Sequence, residues 1–103
     1  MAYKIIVTES FKTDLNEIME YISHKLQSQA AAKHLLESTE KSIDFLKDNP
    51  FLYPLYHDEK LAEKGYHYAV VSNYLMFYTF NEAVGEVRLM RFLYGGQNIV
   101  SML

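Results

Sequence analysis

The stretch from Gly65 to Asn98, GYHYAVVSNYLMFYTFNEAVGEVRLMRFLYGGQN, constrains the fold more than any other part of the chain. Within it, three runs rich in Val, Tyr, Phe and Leu (Tyr66–Val71, Tyr74–Phe80 and Val87–Tyr94) are separated by Ser72-Asn73 and by the polar stretch Asn81–Gly85. Branched and aromatic residues broken by short turns predict an antiparallel meander. In the middle run both alternating sets are apolar, with Tyr74, Met76, Tyr78 and Phe80 on one side and Leu75 and Phe77 with Thr79 on the other. A strand of that kind has to be central and covered on both sides.

Upstream, Tyr3–Thr8 (YKIIVT) reads as a short strand, apolar enough on both sides to sit inside a sheet. Ser10 offers a side-chain oxygen as N-cap, and Phe11, Leu15, Ile18, Ile22 and Leu26 then fall on one stripe of an amphipathic helix, opposite Thr13, Glu17, Glu20 and His24. After the polar break Gln27-Ser28-Gln29, a second helical pattern runs through Ala32, Leu35, Leu36, Thr39, Ile43 and Leu46, and Asp48-Asn49-Pro50 ends it. Two helices joined so closely form an antiparallel hairpin. Phe51–Tyr56 is an apolar, Pro-punctuated crossing expected along the sheet's edge. His57–Lys64 is charged and reads as a loop or a single helical turn, and Gln97–Leu103 is a tail without a clear pattern.

The fold class is therefore α+β, in the order β-α-α-β-β-β, with a helical hairpin on one face of a mainly antiparallel four-stranded sheet. The opposite face is left for a site. Residues 1–103 fit a single domain, large enough for a core without metal or disulfide staples. The chain has no cysteine, so thiolate chemistry is excluded and a reducing compartment is compatible. No apolar run approaches a membrane span, and the N-terminal apolar run is too short for a signal peptide, so a cytoplasmic location is expected.

Net charge is −3, which argues against nucleic-acid binding by overall charge. The distribution is uneven: residues 1–50 carry six Lys and eight Asp or Glu, whereas Val87–Leu103 carries Arg88 and Arg91 and no acid. Any phosphate-binding surface is thus local to the last strand and tail.

Several segments together resemble the RelE/ParE superfamily of toxins from type II toxin–antitoxin modules, also known as plasmid stabilisation proteins. They are the opening strand, DLNEIMEYI at Asp14–Ile22, the helix end Leu46-Lys-Asp-Asn-Pro50, Gly65-Tyr66 before a strand, Asn73-Tyr-Leu-Met-Phe-Tyr78, and Val87-Arg-Leu-Met-Arg91-Phe-Leu-Tyr-Gly95. The resemblance covers nearly the full length. It implies a growth-arresting toxin, without cofactor or metal, silenced by a cognate antitoxin protein, and it is compatible with a homodimer or a heterotetramer with that antitoxin. RelE-like members are mRNA interferases that cut in the ribosome's A site without a metal, and ParE-like members are gyrase inhibitors.

RNA cleavage needs a base for the 2′-hydroxyl, an acid for the leaving oxygen and cations for the phosphate. Carried over residue by residue, the resemblance makes Arg91 the last-strand Arg. His67 stands where the pattern usually has Arg after Gly-Tyr, and Tyr94 replaces a frequent His. Arg91, His67 and Tyr94 are thus the candidate catalytic set, and Lys60, Lys64, Arg88, Gln97 and Asn98 the candidate target-binding set. Gly95-Gly96-Gln97-Asn98 replaces a terminal segment that is commonly basic, which leaves an RNase site thin on cations.

The blander readings are a structural ion pair for Arg91 and a packed, hydrogen-bonded strand residue for His67. Most of the tyrosines are read as core, and the Glu20/His24 pair as a solvated ion pair because no further ligand is spaced to help. Arg88, three residues before Arg91, points to the opposite face if the strand is unbulged. The long helical hairpin and the missing cations favour a ParE-like toxin directed at DNA gyrase. The alternatives are a RelE-like endoribonuclease acting on ribosome-bound mRNA and a degenerate toxin that keeps only antitoxin binding.

Overall fold

The computed structural model describes residues 2–103. β1 (Lys4–Val7) leads into α1 (Glu9–Glu20), a π-helical turn (Tyr21–Lys25), α2 (Gln29–Asp48), α3 (Glu59–Glu63), β2 (His67–Val71), β3 (Tyr74–Asn81), β4 (Glu86–Tyr94) and α4 (Ile99–Met102). The four strands form one sheet in the order β1-β4-β3-β2, antiparallel except where β1 runs parallel to β4. No helix of the described residues is long and apolar enough to cross a membrane.

The expected meander is present, and Ser72-Asn73 closes its first turn with Ser72 at φ 57°. β3 is central, as its two apolar sides require, with Met76, Phe77 and Tyr78 fully buried. On the helical side Phe11, Ile22, Leu35 and Leu46 pack on Val71, Met76, Tyr78, Val87, Leu89 and Phe92. Burying each such side chain contributes about 1.5–3 kcal/mol relative to leaving it exposed. The Tyr78 hydroxyl, drawn into this layer, donates to Pro50 O at 2.8 Å, and buried Thr39 donates to Leu35 O at 2.8 Å.

Two sequence-based expectations are corrected here. The N-cap of α1 is Thr8, whose Oγ1 accepts from Phe11 N at 3.2 Å, not Ser10, because the helix starts as soon as β1 ends. Thr8 Oγ1 also donates to Leu89 O at 2.8 Å, so one hydroxyl caps the helix and ties it to β4. Leu26 is 58% exposed rather than part of the buried stripe. The π turn, closed by Leu26 N donating to Tyr21 O, changes the residue spacing and turns Leu26 away from the core.

The face opposite the helices is not bare. It carries a second core of Tyr56, Leu61, Phe77, Leu93 and Ile99, with Tyr66, Tyr68 and Met102 packed against it. The other apolar side of β3 demands that cover, and the two short helices supply Leu61 from α3 and Ile99 from α4. The Phe51–Tyr56 crossing lies along the outer edge of β2, where Tyr68 N donates to Pro54 O and Tyr56 N to Tyr66 O.

Candidate functional site

β4 is longer than β1, and this difference in length creates the site. β1 pairs only with Glu86–Leu89, so beyond Leu89 the backbone of β4 has no neighbouring strand on that side. Unpaired N–H groups at such a place need partners. Two side chains supply them: Asp14 Oδ2, from α1, accepts from Phe92 N at 3.0 Å, and Gln97 Oε1, from the tail, accepts from Tyr94 N at 3.1 Å.

Asp14 has a second role. Arg91 Nε donates to Asp14 Oδ2 at 2.6 Å and Nη2 to Asp14 Oδ1 at 3.0 Å, a bidentate pair, while Nη1 donates to Met102 O at 2.7 Å. The Arg91 and Asp14 side chains are 25% and 11% exposed, so solvent screens the pair only in part. The hydrogen bonds to Asp14, then its charge and more weakly Tyr66, hold the guanidinium proton more firmly than usual, against the opposing cost of burial. Arg91 is therefore the centre of a clasp that joins α1, β4 and the C-terminal tail.

The pairing of β4 with β3 corrects the reading of Arg88. The register runs Phe77↔Arg91 but Tyr78↔Leu89, so Met90 is an extra residue. Such a bulge shifts the alternation of everything beyond it by one position. Arg88, opposite Thr79, and Arg91, opposite Phe77, consequently share the face away from α1 and α2. Arg88 stays solvated there, its Nη2 3.8 Å from Glu86 Oε1.

The three candidate catalytic residues do not converge. His67 pairs with Tyr78 on the helical face, where its ring stacks on Tyr78 at 5.4 Å and its Nδ1 is 2.8 Å from Tyr53 O. Tyr94 pairs with Tyr74 on that same face but at the far end of the ribbon. Arg91 is on the other face. Among the target-binding candidates, Lys60 is on α3 and Lys64 caps its C-terminus, both exposed and outside any ion pair of the described residues. Gln97 is occupied by Tyr94 N, and Asn98 precedes α4 without a side-chain cap bond. Among the described residues no three His, Cys, Asp or Glu are grouped to hold a metal ion.

Beside the clasp, at the end of α1, a cleft of about 460 Å³ is lined by Glu17, Ile18, Tyr21, Tyr74 and Tyr94. Asp14, Glu17 and Tyr21 were missed as site residues when the sequence was read alone. One signal pointed to Asp14: it borders the Phe11–Leu15 stripe, and Val87–Leu103 carries two arginines and no acid. Tyr21, with helical backbone and its N–H donating to Glu17 O, follows Glu17 and Ile18 at α-helical spacing and so lines the cleft beside them.

The arrangement has the features of a binding surface: apolar, aromatic and acidic groups along α1 and the end of the ribbon, with the half-buried Arg91 neutralised by Asp14. The family model for the ParE toxin of the type II toxin–antitoxin system parDE matches residues 5–99. The chain is similar to one in a chromosomal ParDE system from P. aeruginosa, with a TM-score of 0.70 and 11% identity over 90% of this chain and 96% of that one. It is also similar to one in the RelBE2 toxin–antitoxin complex from Mycobacterium tuberculosis, with a TM-score of 0.62 and 18% identity over 91% of this chain and 99% of that one. No curated protein matches it. At these identities the structural likeness is one of fold.

Proposed function

The chain belongs to the ParE toxin family of type II toxin–antitoxin systems, and from that premise we propose that it arrests growth by binding a macromolecular target, DNA gyrase first, rather than by cutting RNA. The observation that carries this reading is the clasp. Each nitrogen of Arg91 already donates, two to Asp14 and one to Met102 O, and its charge is matched by the Asp14 carboxylate, so a phosphate would have to compete with that bidentate pair. His67, the imidazole that could act as base or acid, is across the sheet from it. General acid–base cleavage requires these groups within hydrogen-bond reach of one substrate.

A cognate antitoxin, encoded beside the gene, neutralises the toxin by covering this surface. Expression without the antitoxin tests both halves. Growth arrest with DNA-damage signalling, and loss of gyrase supercoiling by the purified protein, are the expected results. A rapid halt of translation with intact DNA would reject the gyrase reading, and a soluble, folded but harmless protein would point to a degenerate toxin.

One observation favours the endoribonuclease as a second reading. The bulge at Met90 puts Arg88 and Arg91 on one face, two rungs of the β3–β4 ladder apart. On this reading Arg88, with Lys60 and Lys64, supplies the charge that Arg91 does not. Ribosome-dependent cleavage that falls about a hundredfold in Arg88→Ala, as expected when a donor to developing charge is removed, would support it.

A further inference from the structure

Tyr74, Tyr94 and Tyr21 form an open aromatic corner with a carboxylate at its rim. Tyr74 is fixed from below by stacking on buried Phe92 at 5.5 Å, and it meets Tyr94 nearly edge to face at 6.0 Å and 69°. Tyr21 and Tyr94 remain 53% and 50% exposed, a large apolar investment at the surface. The Tyr94 ring is set by the tail: a Cβ on Gly96 would lie 2.6 Å from Tyr94 Cε2. Burial raises the Tyr74 phenol above its ordinary range, and the neighbouring Tyr94 and Tyr21 raise it further.

The charge at this corner is unbalanced. Glu17 lines the cleft and both adjoining hollows, one shared with Asp14 and the other with Glu20, His24 and Lys25. Asp14 is already neutralised by Arg91, but Glu17 and Glu20 make no ion pair among the described residues. An apolar occupant would strip water from Glu17 and give nothing back. A planar cation satisfies both parts of the site, because it stacks on ring faces and its fork of donors meets a carboxylate.

We propose that this cleft is a receptor for an arginine side chain carried on an otherwise apolar peptide segment. Resting on the toxin–antitoxin reading above, we assign that segment to the antitoxin. The apolar neighbours of the arginine would lie on Ile18 and on the exposed rings.

The cleft is tested by following the tyrosine ring resonances of the free protein by NMR while adding N-acetyl-arginine amide, N-acetyl-citrulline amide (the uncharged isostere) or N-acetyl-leucine amide. The arginine amide should shift Tyr21, Tyr74 and Tyr94 saturably, and bind about fivefold or more tighter than the citrulline amide. Glu17→Gln should remove most of that preference while leaving the buried Tyr78 resonances in place. Equal binding of citrulline or leucine amide, no effect of Glu17→Gln, or no saturable shift would overturn the assignment. The occupant is tested separately with the product of the neighbouring small reading frame. If it binds the wild type but dissociates no faster from Glu17→Gln or Tyr94→Leu, the arginine is not the antitoxin's. If it does not bind the wild type at all, the antitoxin reading fails, and the chemistry of the cleft is still decided by the amide titration.

Discussion

Replacing Asp14 by Ala removes three hydrogen bonds at once: two from Arg91, at 2.6 and 3.0 Å, and one from Phe92 N at 3.0 Å. A hydrogen bond to a charged group contributes about 1.5–3 kcal/mol. Three that share one carboxylate do not add, and breaking a buried pair from one side costs about 3–5 kcal/mol as a whole. With the Arg91 side chain 25% exposed, solvent screening moves the value towards the lower end, to about 3 kcal/mol. Arg91→Ala should cost less, about 2 kcal/mol, because Asp14 keeps its bond to Phe92 N and is not left unpaired. The double variant should cost little more than Asp14→Ala alone, which gives a coupling of about 2 kcal/mol.

Urea unfolding of the four proteins measures this cycle directly, through midpoints at constant slope. Arg91→Lys should recover little, since an ammonium cannot reproduce the bidentate fork. The coupling should also persist in high salt, unlike that of a solvated surface pair. A coupling below about 0.5 kcal/mol, within the range of exposed pairs, would mean that the clasp does not form in solution. Arg91 would then be free to act on a target, and the observation favouring binding over cleavage would be lost.

The helix start gives a sharp contrast: Thr8→Ala should destabilise by about 1–2 kcal/mol through loss of the cap, and Ser10→Ala should be nearly neutral in the same melts. Tyr78→Phe should cost about 1–3 kcal/mol, because Pro50 O is left buried without its donor; an unchanged melting temperature would refute that bond. Burial raises the phenols of Tyr78, Tyr74 and Tyr56, so the folded chain keeps protons that the unfolded chain releases above about pH 10. Stability is therefore complete below that pH and falls as it rises further, and an ultraviolet titration should show some tyrosines ionising only with unfolding. Gly96→Ala should rotate the exposed Tyr94 ring and shift its resonances while changing stability by less than about 0.5 kcal/mol.

Of the site, the sequence offered Arg91 and Tyr94 but neither Asp14, Glu17 nor Tyr21, and little of the arrangement. Arg91 and Tyr94 both border the surface described here, and His67 turned out to be the hydrogen-bonded strand residue of the blander reading. What could not be read was the pairing of Arg91 with a carboxylate 77 positions away on another element. Composition showed two arginines without an acid in the last segment, but it could not show that one is neutralised from α1. The same holds for Arg88, whose side of the sheet depends on a single unpaired residue, Met90.

The order of elements, the meander, the central place of β3 and the helical stripe through Ile22 are properties of the sequence alone, because each follows from periodicity within one segment and from turn residues beside it. Only the tertiary structure decided where Thr8 caps, which faces Arg88 and Arg91 take, what covers the second side of the sheet and where the tyrosines meet Glu17. Those depend on β4 outrunning β1 and on one extra residue in its pairing. Local spacing carries no record of how far a partner strand, distant in the chain, will extend.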